Sequence, residues 1–107
     1  MKKVIYKYTC PIEKDIISEM DGSIAPVQIS MPINAEILCV QVQNGVPQIW
    51  ASLSDTSDIP MSGRFTIRTF RWIGTGHQYS DNGIREYVGT VQLNEGAHIL
   101  HLFMEKP

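Results

Sequence analysis

Cysteine and histidine are scarce in this chain of 107 residues, which has two cysteines and three histidines. Cys10 and Cys39 lie far apart and form no CxxC pair, the spacing that many zinc and redox sites use. His98 and His101 are three residues apart, which places them on opposite faces of a strand. The sequence therefore predicts no metal site and two reduced structural thiols, with a disulfide as the less favoured alternative.

A large excess of one charge and a long hydrophobic run are also missing. The net charge is −2 at pH 7 and the isoelectric point is about 5.8, so the basic field that attracts a nucleic acid polymer is absent. No apolar run reaches the length of a membrane span, and Met1–Tyr8 lacks the continuous apolar core of a signal peptide. The expectation is a cytoplasmic protein that binds neither nucleic acid polymers nor membranes.

Sequence motifs of catalysis are not found either. The chain has no nucleophile elbow and no HExxH, and its acidic residues are scattered singly. Gly74-Thr75-Gly76 lacks the third glycine of a dinucleotide-binding fingerprint, and no helical pattern follows it. No catalytic residue and no cofactor is therefore predicted.

What the chain does have is apolar alternation with a period of two, interrupted by turn residues. This alternation indicates about seven short strands, and the hydrophobic fraction of 43% suits a folded core. The prediction is a single all-β domain over residues 1–107, built as an antiparallel sandwich or barrel. One short helix near residues 11–21 is an option, since Pro11 suits a first helical position and Asp21-Gly22 a stop.

The strongest local signal is a β-hairpin over Glu36–Leu53. Asn44-Gly45 suits a two-residue type I′ turn, because both turn residues of that type need positive φ. This turn pairs Gln43 with Val46 and, by parity, sets the two faces of the hairpin. The predicted core face consists of Leu38, Val40, Val42, Pro47, Ile49 and Ala51.

The other face of the hairpin combines amides with one indole. Its residues are Cys39, Gln41, Gln43, Gln48 and Trp50. Such a mixture suits a ligand floor or a subunit interface, and a partly covered sheet face is the alternative. Pro47 lacks an N–H, which indicates an edge strand or an N–H position that points outward.

A later strand, Arg64–Ile73, changes its apolar parity. Phe65 and Ile67 fall on one face and Phe70 and Trp72 on the other, which predicts a bulge near Arg68 or Thr69.

A glycine-flanked turn follows this strand and suggests a binding site for a nucleotide. Its glycines bring backbone N–H groups close to an anion, arginine binds phosphate bidentately, and an aromatic plane stacks on a base. The predicted ligand-binding residues are Gln41, Trp50, Arg71, Trp72, Gly74, Thr75, Gly76 and His77. A turn with only a structural role is the alternative.

Four segments of the chain carry motifs in a distinctive order. They are Val40–Ala51 (VQVQNGVPQIWA), Phe70–His77 (FRWIGTGH), Tyr87–Leu93 (YVGTVQL) and His101–Glu105 (HLFME). In these segments the chain resembles a family of short bacteriophage proteins that carries a domain of unknown function, with GTGH and GTVQ as signature segments. The resemblance covers Ile33–Glu105, and Cys10–Ala25 looks longer than the usual connection in the family.

The resemblance implies a phage setting and brings no established activity. By analogy with phage accessory proteins that counter host defence, it implies a homo-oligomer in the host cytoplasm that sequesters a nucleotide-derived immune signal without catalysis. Two alternatives stay open. One is a small phosphodiesterase with His77 as general acid or base, and the other is a protein-binding module that inhibits a host factor through the Trp50 and Gln48 face.

Overall fold

Seven strands make up the secondary structure of the computed structural model, which describes residues 3–12, 26–54, 65–80 and 83–105. The strands are β1 (Lys3–Thr9), β2 (Val27–Pro32), β3 (Glu36–Gln43), β4 (Val46–Ser54), β5 (Phe65–Gly74), β6 (Ile84–Leu93) and β7 (His98–Glu105). The all-β class and the strand number are as predicted. Residues 13–21, where a helix was the option, lie outside the described ranges.

The strands form two antiparallel sheets that pack face to face as a sandwich. The three-stranded sheet has the order β1-β4-β3, and the four-stranded sheet has the order β2-β5-β7-β6. Alternate side chains of both sheets meet between them and exclude water from a common apolar core. The fully buried side chains of this core with the largest volumes are Trp72, Phe70, Met31, Ile49, Leu102 and Cys10.

The β3–β4 hairpin has the predicted turn and register. Asn44 and Gly45 have φ of 53° and 78°, as a type I′ turn requires. Gln43 pairs with Val46 and Cys39 with Trp50. The local sequence is sufficient here because the turn type alone fixes which residues face each other.

Two members of the predicted core face are exposed instead. The β3–β4 register shifts between Ile37 and Cys39, and this bulge turns Leu38 outward, where 47% of it is exposed. Ile37 packs against the core in its place. Val42, next to the hairpin turn, is also exposed.

The predicted bulge in the β5 strand is wrong. β5 pairs with β2 in unbroken register from Phe65 to Phe70 and continues on β7 without a shift. Phe65 and Ile67 lie on the outer face, 47% and 62% exposed, so the change of parity reflects apolar residues on both faces of a regular strand.

Pro47 does not mark an edge strand. β4 lies between β1 and β3. The β1–β4 ladder ends at the pair of Thr9 with Gln48, and Pro47 lies one residue beyond this end. There its carbonyl accepts a hydrogen bond from the Cys10 N–H at 3.0 Å. Because Pro47 lies outside the β1–β4 pairs, its missing N–H removes no hydrogen bond between those paired residues.

Both cysteines are free thiols, and their surroundings differ. Cys10 is fully buried, whereas Cys39 is half-buried on the outer face of the three-stranded sheet. Burial raises the pKa of the Cys10 thiol to about 12, and the nearby Trp72 side chain opposes part of this rise. The raised pKa keeps the thiol neutral, because its thiolate would lose hydration in the core.

We expect Cys10 to resist thiol reagents in the folded protein at pH 8, because the thiolate is the reactive form and Cys10 is buried. Cys39 should react first, and Cys10 only on unfolding, as followed by absorbance with an aromatic disulfide reagent. Equal rates for Cys39→Ser and Cys10→Ala single variants would contradict this.

The same burial should make stability fall with pH in the alkaline range. The Cys10 thiol ionises near its ordinary pKa of 9.0 in the unfolded chain and near 12 in the folded protein. Below pH 9 the thiol is neutral in both states, and its ionisation does not lower the free energy of unfolding. Between these pKa values, the free energy of unfolding falls by up to about 1.4 kcal/mol per pH unit as pH rises. Burial also raises the pKa of Tyr8, so the thiol contribution is the difference between wild type and Cys10→Ala in chemical denaturation.

Candidate ligand-binding face

The outer surface of the four-stranded sheet collects polar and aromatic side chains. In β7, Leu100 and Leu102 are buried in the core, so the alternating residues His101 and Phe103 point outward. The strand register then places residues of β5 and β6 beside them. We name this surface the His101 face; it consists of Arg71, Thr75, Tyr79, Tyr87, Thr90, His101, Phe103 and Glu105.

His101 lies at the centre of a hydrogen-bonded network on this face. Its Nδ1 is 2.8 Å from Thr90 Oγ1, and its Nε2 is 2.7 Å from Thr75 Oγ1. A neutral imidazole has one donor and one acceptor nitrogen, and a hydroxyl matches either. The network joins the end of β5 to β6 and β7, and it holds the imidazole between two hydroxyl groups.

A β-bulge in β6 brings Tyr87 and Thr90 onto the same face. The two residues are three apart, so a regular strand would point them to opposite sides. The β6–β7 register shifts between Tyr87 and Gly89, and the extra residue, Val88, reverses the alternation. The Tyr87 hydroxyl therefore hydrogen-bonds to Thr90 Oγ1 and extends the His101 network.

Three aromatic rings form a row beside this network. The Phe103 ring centroid is 5.5 Å from that of Tyr79 and 5.5 Å from that of Tyr87, with interplanar angles of 36° and 59°. Both tyrosines are exposed. Tilted rings at this spacing stabilise each other, and their free surfaces can contact a planar ligand.

Arg71 is the cation of the His101 face, and it is already paired. Its Nε donates to Glu105 Oε1 at 2.8 Å. Its Nη2 lies 2.6 Å from the same oxygen. The side chains are 34% and 22% exposed, so water screens the pair only in part. An anion on this face would share the guanidinium with Glu105.

We expect a double-mutant cycle with Arg71→Ala and Glu105→Ala to give a coupling free energy of about 0.5–1 kcal/mol. The coupling should shrink in 1 M salt, since salt screens the charges. Chemical denaturation of the four proteins measures it, and strictly additive costs would show that the pair contributes nothing to stability.

The turn after β5 is built around two glycines with different roles. Gly76 has φ of +86°, a conformation that a side chain rarely adopts. At Gly74, an added Cβ would lie 2.6 Å from His77 Cδ2, so the imidazole of His77 rests on this glycine. The His77 N–H donates to the Gly74 carbonyl at 3.2 Å and the Thr75 N–H to the Ile99 carbonyl at 3.4 Å. Among the described residues, the Gly76 N–H donates none of the backbone hydrogen bonds found outside the strands, so it is our candidate donor for an anion.

The structure brings together some predicted ligand-binding residues and separates others. Arg71 and Thr75 lie on the His101 face, and Gly74, Gly76 and His77 form the turn at its end. Trp72 is fully buried in the core, where its ring has no surface for a ligand.

Gln41 and Trp50 lie across the core, on the outer face of the three-stranded sheet. The Lys7 ammonium group sits 5.8 Å from the centroid of the Trp50 ring. This second group therefore belongs to a different surface from Arg71 and the glycine turn.

A comparison with protein families decides which family the chain represents. A family model described as a domain of unknown function, DUF7352, matches residues 1–107. The chain belongs to this family. No curated protein and no solved structure matches the chain.

Sequence reasoning missed the central residues of the site in this DUF7352 domain. The sequence pattern alone assigns no ligand-binding role to His101, Thr90, Phe103 or Tyr79. The alternation of side chains in β7 predicts that His101 and Phe103 share one face of the strand and that Leu102 lies on the other. Their contact with Tyr87 depends on the bulge between Tyr87 and Gly89 in β6, and the signal that could have found it is Gly89, since a glycine inside a strand often marks a bulge.

Two further features of the DUF7352 domain concern metals and membranes. The described ranges hold no group of three or more His, Cys, Asp or Glu side chains suited to a metal ion. Within the same ranges, no helix has the length and apolar character needed to cross a membrane.

Proposed function

We propose that this DUF7352 domain binds a nucleotide-derived small molecule on the His101 face and does not transform it. The observation that carries the proposal is the position of the aromatic row, Tyr79, Phe103 and Tyr87, beside the His101 network and Arg71. Stacking on an aromatic ring is tolerant of base identity, and guanidinium and hydroxyl groups suit phosphate oxygens.

The His101 face lies on the outer surface of the four-stranded sheet, and this position supports a role for symmetry. A ligand on an open sheet keeps one side in water, whereas two copies that meet across it would bury both sides. The proposal therefore includes a homo-oligomer in which the ligand lies between two His101 faces. With the phage setting that the family resemblance implies, such a protein would sequester a host immune signal in the host cytoplasm.

Calorimetry tests the site with a panel of cyclic mononucleotides, cyclic dinucleotides and linear dinucleotides. We expect at least one to bind the wild type, and Phe103→Ala to weaken it by about 1–3 kcal/mol through lost stacking. Arg71→Ala should also weaken it. Trp50→Ala is the matched control, because it removes an aromatic residue from the opposite surface. Loss of binding in Trp50→Ala with full binding in Phe103→Ala would place the site elsewhere, and no binding by any member would refute the proposal.

The absence of a transformation needs its own measurement. The protein is incubated with a nucleotide that binds, then heat-denatured, and the released molecule is identified by mass spectrometry. We expect the intact nucleotide. A hydrolysed product would exclude pure sequestration.

A small phosphodiesterase is the second candidate, and the contacts of His101 favour His101 over His77 as its base. His77 rests on Gly74, whereas His101 Nε2 is 2.7 Å from a hydroxyl oxygen and its Nδ1 is oriented by a second one. In this scheme, His101 Nε2 takes the proton of the Thr75 hydroxyl while the Thr75 oxygen takes a proton from water and the water oxygen attacks phosphorus. The P–O ester bond breaks, and the leaving oxygen receives the proton from His101. Hydrolysis that disappears in His101→Ala and persists in His77→Ala would establish this function.

A protein-binding module on the Trp50 and Gln48 surface has less support. Gln48 is buried and its Oε1 accepts from Thr9 Oγ1 at 3.2 Å, and the Lys7 ammonium group lies over the Trp50 ring. Neither amide nor indole is freely available to a partner.

A further inference from the structure

We propose that a cleft at the end of the sandwich is a second binding site, for a small ligand with an apolar body and one anionic group. The cleft has a volume of about 420 Å³, within the range of sites that hold drug-sized molecules. It is separate from the His101 face and does not depend on the nucleotide proposal.

Two hairpin turns frame this end cleft. The β3–β4 turn contributes Gly45, and the β6–β7 turn contributes Asn94. Between them, the two sheets end without closing on each other, and the chain after β1 forms a third wall through Pro11 and Ile12. The site therefore lies between the sheets, where the core opens to solvent.

The lining of the end cleft defines the ligand class. Its apolar walls are Ile12, Val46, Pro47, Leu93 and Leu100, which suit an apolar body. Among the described residues, the polar side chains of the lining are those of His98 and Asn94, without a carboxylate, a lysine or an arginine beside them. An imidazole and an amide both offer N–H donors. An anionic group such as a carboxylate or a sulfonate matches these donors and meets no like charge from the lining residues that the structure describes.

One strand separates the end cleft from the His101 face. In β7, His98 and Leu100 line the cleft, whereas Ile99 and His101 hold Thr75 on the outside. Side chains of opposite parity in one strand point to opposite faces. Substitutions on β7 can therefore address each site separately.

Calorimetry with 1-anilinonaphthalene-8-sulfonate tests the proposal, since this probe joins an apolar ring system to a single anion. We expect saturable binding with one molecule per chain. Val46→Trp should weaken it at least tenfold by filling the cleft. The matched control is Val4→Trp, which has nearly the same exposure, 41% against 39%, on an edge strand that does not contribute to the lining; it should bind as the wild type does.

Two further variants separate the groups of the site. His98→Ala should weaken binding of the sulfonate probe and leave binding of the uncharged N-phenyl-1-naphthylamine unchanged. If Val46→Trp does not fold, the comparison of these two probes tests the proposal. Phe103→Ala should retain full affinity. Unchanged affinity in both Val46→Trp and His98→Ala, or loss in Phe103→Ala, would overturn the proposal.

Discussion

Alanine at position 72 is expected to lower the free energy of unfolding by about 3–5 kcal/mol. Trp72 is fully buried and is the largest side chain of the core, so its removal deletes apolar contacts and leaves a cavity. Whole domains are stable by only about 5–15 kcal/mol, so Trp72→Ala should melt far below the wild type. Chemical denaturation followed by far-UV circular dichroism measures the change.

Trp50→Ala is the control for this substitution, because it removes the same side chain from a half-buried position on the outer face. It should cost about 1 kcal/mol or less, in line with its smaller burial. Similar costs at positions 50 and 72 would contradict the assignment of Trp72 to the core.

Trp72→Phe refines the result if the alanine variant does not fold. The indole Nε1 is buried without a hydrogen-bond partner, and the neutral Cys10 thiol beside it is a weak acceptor. Phenylalanine removes this N–H and keeps most of the volume, so the expected cost is about 1–2 kcal/mol.

Alanine at position 89 is expected to destabilise the protein by about 1–3 kcal/mol through overpacking. A Cβ at Gly89 would lie 2.7 Å from Val40 Cγ1, and Val40 is buried where β3 of one sheet packs on β6 of the other. The side chain of Val40 has little room to move, so the two sheets must separate locally.

Gly74→Ala is the matched control for this clash. Its Cβ would meet His77 Cδ2 at 2.6 Å, but His77 is exposed and its ring can rotate away. We expect a cost under about 1 kcal/mol. In a double-mutant cycle of Gly89→Ala with Val40→Ala, the double variant should lose less unfolding free energy than the sum of the losses in the two single variants. Equal costs for the two glycines, or strict additivity in the cycle, would show that the sheets are not in tight contact at Gly89.

The parts of the fold that were predictable from the sequence depend on short-range chemistry. Asn44-Gly45 has one favourable turn type, and that turn sets the register of β3 and β4 by itself. The bulge at Leu38 has no such local cause, and the one at Val88 has only the neighbouring Gly89, which permits a bulge without fixing its position. Each adjusts a strand to neighbours that lie far away in the sequence, so periodicity alone assigned Leu38 to the wrong side.

The candidate site divides in the same way. Arg71 and the turn after it can be selected as candidates from the sequence because glycine and arginine have recognisable chemistry within one short segment. Trp50 was placed on the outer face by the hairpin register, whereas the burial of Trp72 was not predictable, because an indole suits a core as well as a binding surface. Only the packing of the two sheets shows that Trp72 belongs to the core.

The extra residue at Val88, one of two register shifts in β6, gives the outer surface a dependence on chain length. Deleting Val88 would leave every residue of the His101 face present in the sequence. It would, however, move the side chains of β6 that precede position 88 to the opposite face of the sheet. Tyr87 would then point to the core, and Thr90 and Phe103 would lose their tyrosine neighbour. In this family, a one-residue insertion or deletion within β6 would therefore alter the surface more than the substitution of any one of its side chains.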